Sequence, residues 1–344
     1  MVKSFIKPVM LVCFVAGLLS GCSFSAKPEV QAIYGYAMGT SYSIKVVSSL
    51  NEARTLQLGV EGVLSDIDAR MSTYLPTSDI SKFGAVAPGE SLKVSPKTAQ
   101  VMQKALAVAS RTGGAFDPTI EPLVDLWGFG PTARNSEIPS AEAIKGGLAL
   151  IGWSEVSVNI EQNTLSKSAP RQLDLSAIAK GYAVDSVADY IESKGFDNYL
   201  VEVGGEMRFS GQKPENEAWS IAIEKPVVDE RSPFRIVKVS DGAMATSGDY
   251  RNYFEMDGKR FSHTIDPKTG YPVEHNLASV TVVMDSCMEA DAYATAFNVL
   301  GVDNALTLAE SLNVAVFLIY REENELKTAQ TAAFTERFGS FINE

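Results

Sequence analysis

Apolar residues recur at helical spacing in several stretches. Leu56, Val60, Val63, Leu64 and Ile67 form one stripe, which ends at Arg70-Met71-Ser72-Thr73-Tyr74. A second helix is predicted over Pro96–Ser110, with Val101, Met102, Ala105 and Val108 inward and Thr112-Gly113-Gly114 closing it. Ser140–Leu150 reads as a short helix. A third long helix is predicted from Ser176, with Val184, Val187, Ala188 and Ile191 inward and Gly195 as its stop. A fourth starts in a capping box of Ser286 and Glu289 and runs to Leu300, ending at Gly301. Between these, period-two alternation marks strands. Tyr42, Ile44 and Val46 belong to a strand pair or bent strand around Gly39, and Val156–Leu165 reads as a hairpin. Tyr199–Val203 and Glu206–Ser210 flank a Gly204-Gly205 turn. Trp219–Glu224, Phe234–Val239, Ala243–Ser247 and Tyr253–Met256 are expected to continue one antiparallel sheet. Leu277–Met284 and Asn313–Tyr320 follow as strands, with a polar tail after them.

The first residues break this pattern. Lys3 and Lys7 precede an apolar run from Val9 to Leu19, followed by Leu19-Ser20-Gly21-Cys22. A basic start, a short apolar core and small residues describe a secretion signal over residues 1–21. The run falls short of the roughly 20 apolar residues that span a bilayer. Leu-Ser-Gly-Cys resembles the bacterial lipoprotein cleavage box, so Cys22 is expected to be acylated and to begin the mature chain. Several acyl chains on one residue anchor stably, whereas one binds marginally. Residues 22–31 then read as a tether and 32–344 as the working domain. The expected address is the periplasmic face of a bacterial membrane. Ser23 in place of an acidic residue hints at the outer membrane, and inner versus outer stays open.

At 344 residues, 45% apolar and 21% charged, the chain is long enough for one large domain with a real core. Of its three cysteines, Cys13 leaves with the signal and Cys22 carries lipid, so Cys287 has no partner for a disulfide. Loss of Lys3 and Lys7 leaves 28 basic against 42 acidic residues, a net of −14. That argues against nucleic acid or an anionic bilayer surface as partner. An acidic protein that binds a phosphate ester usually needs a cation between them.

Four stretches carry candidate chemistry. Phe261-Ser262-His263-Thr264-Ile265-Asp266-Pro267 holds one of only two histidines ahead of an Asp-Pro-x-x-Gly turn, which can fix a side chain beside a pocket or simply close a hairpin. Gly113-Gly114 ahead of Ala115-Phe116-Asp117 lets backbone approach a ligand and offers a stacking face, or makes a plain turn. Ser176-Ala177-Ile178-Ala179-Lys180-Gly181 opens a helix whose free N–H groups, dipole and lysine suit an anion. Gly181 there costs about 1 kcal/mol against alanine, so a packing or ligand reason is expected. On the fourth helix Asp291 and Thr295 are four residues apart, so a carboxylate and a hydroxyl share one face, as a hard cation such as Mg²⁺ requires. Alone, such a pair is more often a solvated face. Tyr74, judged by itself, reads as buried packing ahead of Pro76.

Taken in order, Met38-Gly39-Thr40, Met71-Ser72-Thr73-Tyr74, Gly114-Ala115-Phe116-Asp117-Pro118, Leu175 to Gly181, Val203-Gly204-Gly205-Glu206, Ser262 to Pro267 and Ala290 to Ala296 resemble the ApbE family of Mg²⁺-dependent FAD:protein FMN transferases. The resemblance runs from about Ile33 to the C-terminus. It implies an α+β (mixed α/β) body with antiparallel sheets, packed helices and hints of internal duplication. It implies that Met38, Tyr74, Ala115, Phe116, Asp117, Asp174, Lys180 and Ile265 line the FAD site. It also implies that Asp291, Thr295 and the Ala177 carbonyl hold Mg²⁺. His263 is then the candidate base, with Asp291 the alternative. The implied acceptors carry an Asp-Gly-x-Ser/Thr-Gly-Ala-Ser/Thr type signature and include subunits of membrane redox complexes. Tyrosine at the Tyr74 position goes with transfer, asparagine there with hydrolysis of FAD to FMN and AMP. A flavin-holding lipoprotein without turnover is the non-enzymatic reading, and it leaves His263 and the Asp291/Thr295 pair unexplained.

Overall fold

The computed structural model describes residues 28–131, 137–227, 232–248, 253–256, 259–323 and 325–340. The expected signal, Cys22 and the tether as far as residue 27 lie outside them. The chain opens with β1 (Glu29–Ala37), antiparallel to β2 (Thr40–Ser48). Met38 and Gly39 make the two-residue turn, with φ of 51° and 72°. Two positive φ values in succession match the twist of the flanking strands. The expected boundary at residue 32 is late, because the free edge of β2 pairs β1 as far back as Glu29 with Ser48.

Helices follow: α1 (Leu50–Met71), α2 (Asp79–Ala85), then strand β3 (Ser91–Lys93) and α3 (Pro96–Arg111). Next come α4 (Glu121–Leu126), α5 (Ala141–Leu148) and the hairpin β4 (Val156–Asn159) with β5 (Thr164–Lys167), which pairs with β3 in a small sheet. α6 (Ser176–Ser193) leads into β6 (Tyr199–Val203) and β7 (Glu206–Ser210). Then come β8 (Trp219–Glu224), β9 (Pro233–Val239), β10 (Gly242–Gly248), β11 (Tyr253–Met256), β12 (Lys259–Ser262) and β13 (Leu277–Met284). The chain continues through α7 (Cys287–Ser311), β14 (Ala315–Glu322), β15 (Glu325–Gln330) and α8 (Ala332–Phe338).

Eight strands form one antiparallel sheet in the order β1-β2-β6-β7-β10-β13-β14-β15. Its central strands are buried on both faces. In β14, Val316 and Leu318 enter a core shared with α1, α3, α6 and α7, while Phe317 and Ile319 enter a second core on the other side. This is why Leu277–Met284 and Ala315–Ile319 read as apolar runs rather than as alternation. The expectation of a single continuing sheet fails at two places. β8 and β9 pair only with each other, because Trp219, Ile221, Ile223 and Val237 are needed to cover the second core. β11 and β12 likewise form a separate ribbon. The polar tail is also structured: Phe334 is fully buried against Phe317, at 5.3 Å between ring centroids. α7 breaks at Gly301 as expected (φ 73°, ψ 176°), but helix resumes after it to Ser311.

A third, smaller apolar cluster joins Leu123 and Trp127 of α4 and its end to Ile144 of α5 and to Phe261 and Ile265. It forms the lobe that carries the histidine stretch.

Candidate active site

The helix expected to begin with a Ser176 cap begins differently. Asp174 Oδ1 accepts the Ser176 N–H at 2.7 Å, and Ser176 is already inside the helix. The backbone then bends: Ala177 has φ −91° and ψ 15°. Ile178 and Ala179 both donate to the Leu175 carbonyl, at 3.0 and 2.7 Å. Gly181 N–H, which a regular helix would give to the Ala177 carbonyl, donates to Asp291 Oδ2 at 3.0 Å. The expectation of free N–H groups at this helix start is therefore corrected: those of Ser176, Ile178, Ala179 and Gly181 have partners, and two of the partners, Asp174 and Asp291, are buried carboxylates. The bend leaves a carbonyl, not a set of N–H donors, beside Asp291.

α6 and α7 approach closely because residue 181 is glycine. A Cβ there would sit 2.3 Å from the Cys287 carbonyl oxygen and 2.8 Å from Asp291 Cβ. Asp185, one turn on, locks the same contact. Its carboxylate accepts the Cys287 and Met288 N–H groups at 3.0 Å each and the Ser286 hydroxyl at 2.8 Å. Ser286 Oγ caps Glu289 N as expected, but Glu289 does not return the bond and instead pairs with Lys104 at 3.1 Å. The capping box is half formed, and Asp185 of α6 takes the next two N–H groups, those of Cys287 and Met288.

Lys180 points to Glu206, the first residue after the Gly204-Gly205 turn, with Nζ 2.6 Å from Oε1. Burial alone would lower the lysine, but Glu206 and Asp291 together raise it. Burial pushes the Glu206 carboxyl up, and Lys180 offsets this only in part. Asp291 is raised by burial too, against the pull of Lys180 and the Gly181 N–H. Glu206 Oε2 is buried with no hydrogen-bond partner. One lysine thus faces several carboxylates, and a phosphate anion entering here meets net negative charge. Among the described residues, no three His, Cys, Asp or Glu side chains converge on a metal position. Asp291, Thr295 and Ala177 line one cleft and offer it an acid, a hydroxyl and a carbonyl, a set of hard oxygens. They fit Mg²⁺.

These groups open into a cleft of about 820 Å³ lined by Tyr74, Ala115, Phe116, Asp117, Asp174, Ala177 and Lys180. His263, Ile265, Asp291 and Thr295 line it as well. Met38 does not; it packs against the main core beside the cleft, and the neighbouring Thr40 methyl meets Gly204. Tyr74 is 65% exposed at the cleft mouth, so the reading of it as buried packing is wrong. Asp117 is buried, but its oxygens are taken by Thr119 (2.8 Å from N–H, 2.6 Å from hydroxyl) and by Trp153 N–H. Its side chain shapes the loop while Ala115 and Phe116 form the wall.

The histidine stretch is held as a rigid turn. Gly270 N–H donates to Asp266 O at 2.8 Å and Asp266 N–H to Tyr271 O at 2.9 Å. Gly270 has φ 75°, and a Cβ on it would strike Ile144 at 2.7 Å. Trp127 Nε1 donates to the Gly270 carbonyl at 2.8 Å and pins the turn to α4. His263 then meets Phe129 edge-on, with ring centroids 6.3 Å apart.

Sequence reading missed Glu206, Asn298 and Glu121. Asn298 is fully buried and its amide bridges Ser247 and Thr264 at 3.1 and 3.4 Å, tying α7 to the histidine stretch. Its place three residues after Thr295 on the same helix face was the available signal. Glu121, on the cleft wall, is pushed up to about 7 by burial and by the nearby Asp125 and Asp174 carboxylates. A raised acid contributes fully below its ordinary value of 4.5, and that contribution is lost as pH rises through about 7. Glu121→Gln should therefore match wild type in urea unfolding near pH 4.5. At pH 8 it should be more stable by about 1 kcal/mol, after discounting for partial exposure.

Known proteins resemble this chain over most of its length. The ApbE family profile matches residues 38–318. The chain is 43% identical over 321 residues to the FAD:protein FMN transferase of Vibrio cholerae, covering 92% of this chain and 95% of that one. It is 41% identical to the Haemophilus influenzae protein of the same name, covering 93% and 95%. The crystal structure of apo Pseudomonas stutzeri flavinyl transferase ApbE superposes with a TM-score of 0.84 at 40% identity, covering 92% of this chain and 98% of that one. With the family match spanning most of the chain, this protein belongs to the ApbE family.

Proposed function

We propose that the protein transfers FMN from FAD to a hydroxyl of an acceptor protein and releases AMP. The observation that carries this is the seat between the bent first turn of α6 and the Asp291/Thr295 face of α7, in one cleft with Lys180 and His263. The acceptor oxygen forms a bond to the FMN phosphorus, the bond from that phosphorus to the AMP phosphate oxygen breaks, and the hydroxyl proton passes to a base. Asp291, Thr295 and the Ala177 carbonyl would hold Mg²⁺, which would supply Lewis-acid neutralisation of the diphosphate charge. Lys180, kept charged by Glu206, adds a cation beside the phosphates. Glu206 also stops Lys180 from folding onto Asp291 and closing the seat. His263, fixed by its turn and by Phe129, takes the proton from the acceptor hydroxyl. Tyr74 stands at the mouth, where an acceptor loop enters.

Incubating residues 28–344 with FAD, Mg²⁺ and a peptide carrying an Asp-Gly-x-Thr-Gly-Ala-Thr type signature should yield peptide heavier by one FMN phosphoester. Free FMN formed faster than labelled peptide favours the hydrolase reading instead. His263→Ala should lose about 10²–10⁴-fold of peptide labelling with FAD binding retained. Unchanged labelling removes His263 from the mechanism and leaves Asp291 as the base. Acceptors of this kind sit in membrane redox complexes, and we place the enzyme beside them on the periplasmic face, anchored through Cys22. Cys22→Ser should move the protein from the membrane to the soluble fraction; continued membrane association rules the anchor out.

A further inference from the structure

One wall of the cleft is largely apolar and adjoins the histidine stretch. There α4 contributes Ile120, Glu121 and Val124 to the wall, with Phe129 and Ile265 beside them. An apolar recess next to a phosphate seat suits a flat heteroaromatic ring. Into this recess the chain places one carboxyl. Glu121 Oε2 is shut off from solvent and has no hydrogen-bond partner among the described residues. Leaving such a group unpaired costs about 1–3 kcal/mol. The charges acting on Glu121 are both carboxylates, Asp125 one turn along the same helix and Asp174 ahead of α6. A third charge of the same sign is disfavoured among them, so below about pH 7 the side chain is an acid with an O–H to donate.

We propose that Glu121 donates a hydrogen bond from its carboxyl to a ring acceptor of the bound dinucleotide, and so selects the ring that seats against α4. This rests on the FAD reading above. Isoalloxazine offers ring carbonyls and imine nitrogens, and adenine offers ring nitrogens; either accepts such a bond.

The test is calorimetric titration of wild type, Glu121→Gln and Glu121→Ala with FAD, FMN and AMP separately, in Mg²⁺ and without acceptor. Glutamine keeps a donor at this position, and alanine removes it. Glu121→Ala should bind FAD about 10-fold more weakly, and one of FMN or AMP by a similar factor, with the other unchanged. The half that weakens identifies the ring. Glu121→Gln should stay within about threefold of wild type for all three. Wild-type affinity in the alanine variant, an equal loss in the glutamine variant, or equal weakening of both halves overturns the assignment. Wild-type protein that takes up no FAD overturns the flavin reading itself, and this inference with it.

Discussion

Asp291→Asn should abolish FMN transfer while leaving the protein as stable as wild type or more so. The carboxylate is 5% exposed and lies near the buried Glu206, and burial raises it. Removing one of two neighbouring buried acids relieves desolvation and repulsion. Asparagine keeps an oxygen for the Gly181 N–H, so the contact between α6 and α7 persists. What is lost, on the proposed mechanism, is the one anionic ligand of the Mg²⁺ seat. A Lewis acid is worth several kcal/mol to phosphoryl transfer, so labelling of an acceptor peptide should fall about 10³-fold or more. A variant with a lowered Tm and residual Mg²⁺-dependent transfer would mean that Asp291 serves the fold and not the ion.

Gly181→Ala should damage fold and function together. A methyl at this position meets the Cys287 carbonyl, which is backbone and has no rotamer to escape into. Overpacking of this kind costs about 3 kcal/mol, against about 1 kcal/mol gained from the better helix former. A net loss of about 2 kcal/mol lowers Tm by roughly 5 °C in a domain of this size. The helices must part by a fraction of the missing space, which moves Asp291 and Thr295 away from the Ala177 carbonyl. Misplacement of about 1 Å costs about 100-fold in rate. Calorimetry and peptide labelling on the same preparation check both halves. Full activity at wild-type Tm would show that the helices have slack at this crossing.

Local signals were legible where chemistry is local. The Asp-Pro-x-x-Gly turn, the Gly204-Gly205 hairpin, the break at Gly301 and the pairing of Asp291 with Thr295 on one helix face follow from residue type and spacing, and the structure has them. The expected reason for Gly181 was also sound, although its partner is 106 residues away at Cys287 and nothing nearby names it. Contacts set by distant parts of the chain were illegible. Ser176 has every local mark of a cap, yet Asp174 does the work because the helix start must bend toward α7. Glu289 completes a capping box on paper, but Lys104 of α3 takes it. Trp219–Glu224 alternates like any sheet strand, and only the need to cover a second core separates it from the main sheet. Phe334 in the tail is an isolated aromatic until Phe317 is placed beneath it.

The hydrogen bond from Gly181 to Asp291 closes a loop of 110 residues. Long loops are slow to close, and an antiparallel sheet whose β10 waits for β13 adds further distant pairings. A chain still emerging from a ribosome therefore lacks this contact until α7 has followed. On the proposed mechanism, fragments ending before α7 do not consume FAD, however well their α6 forms.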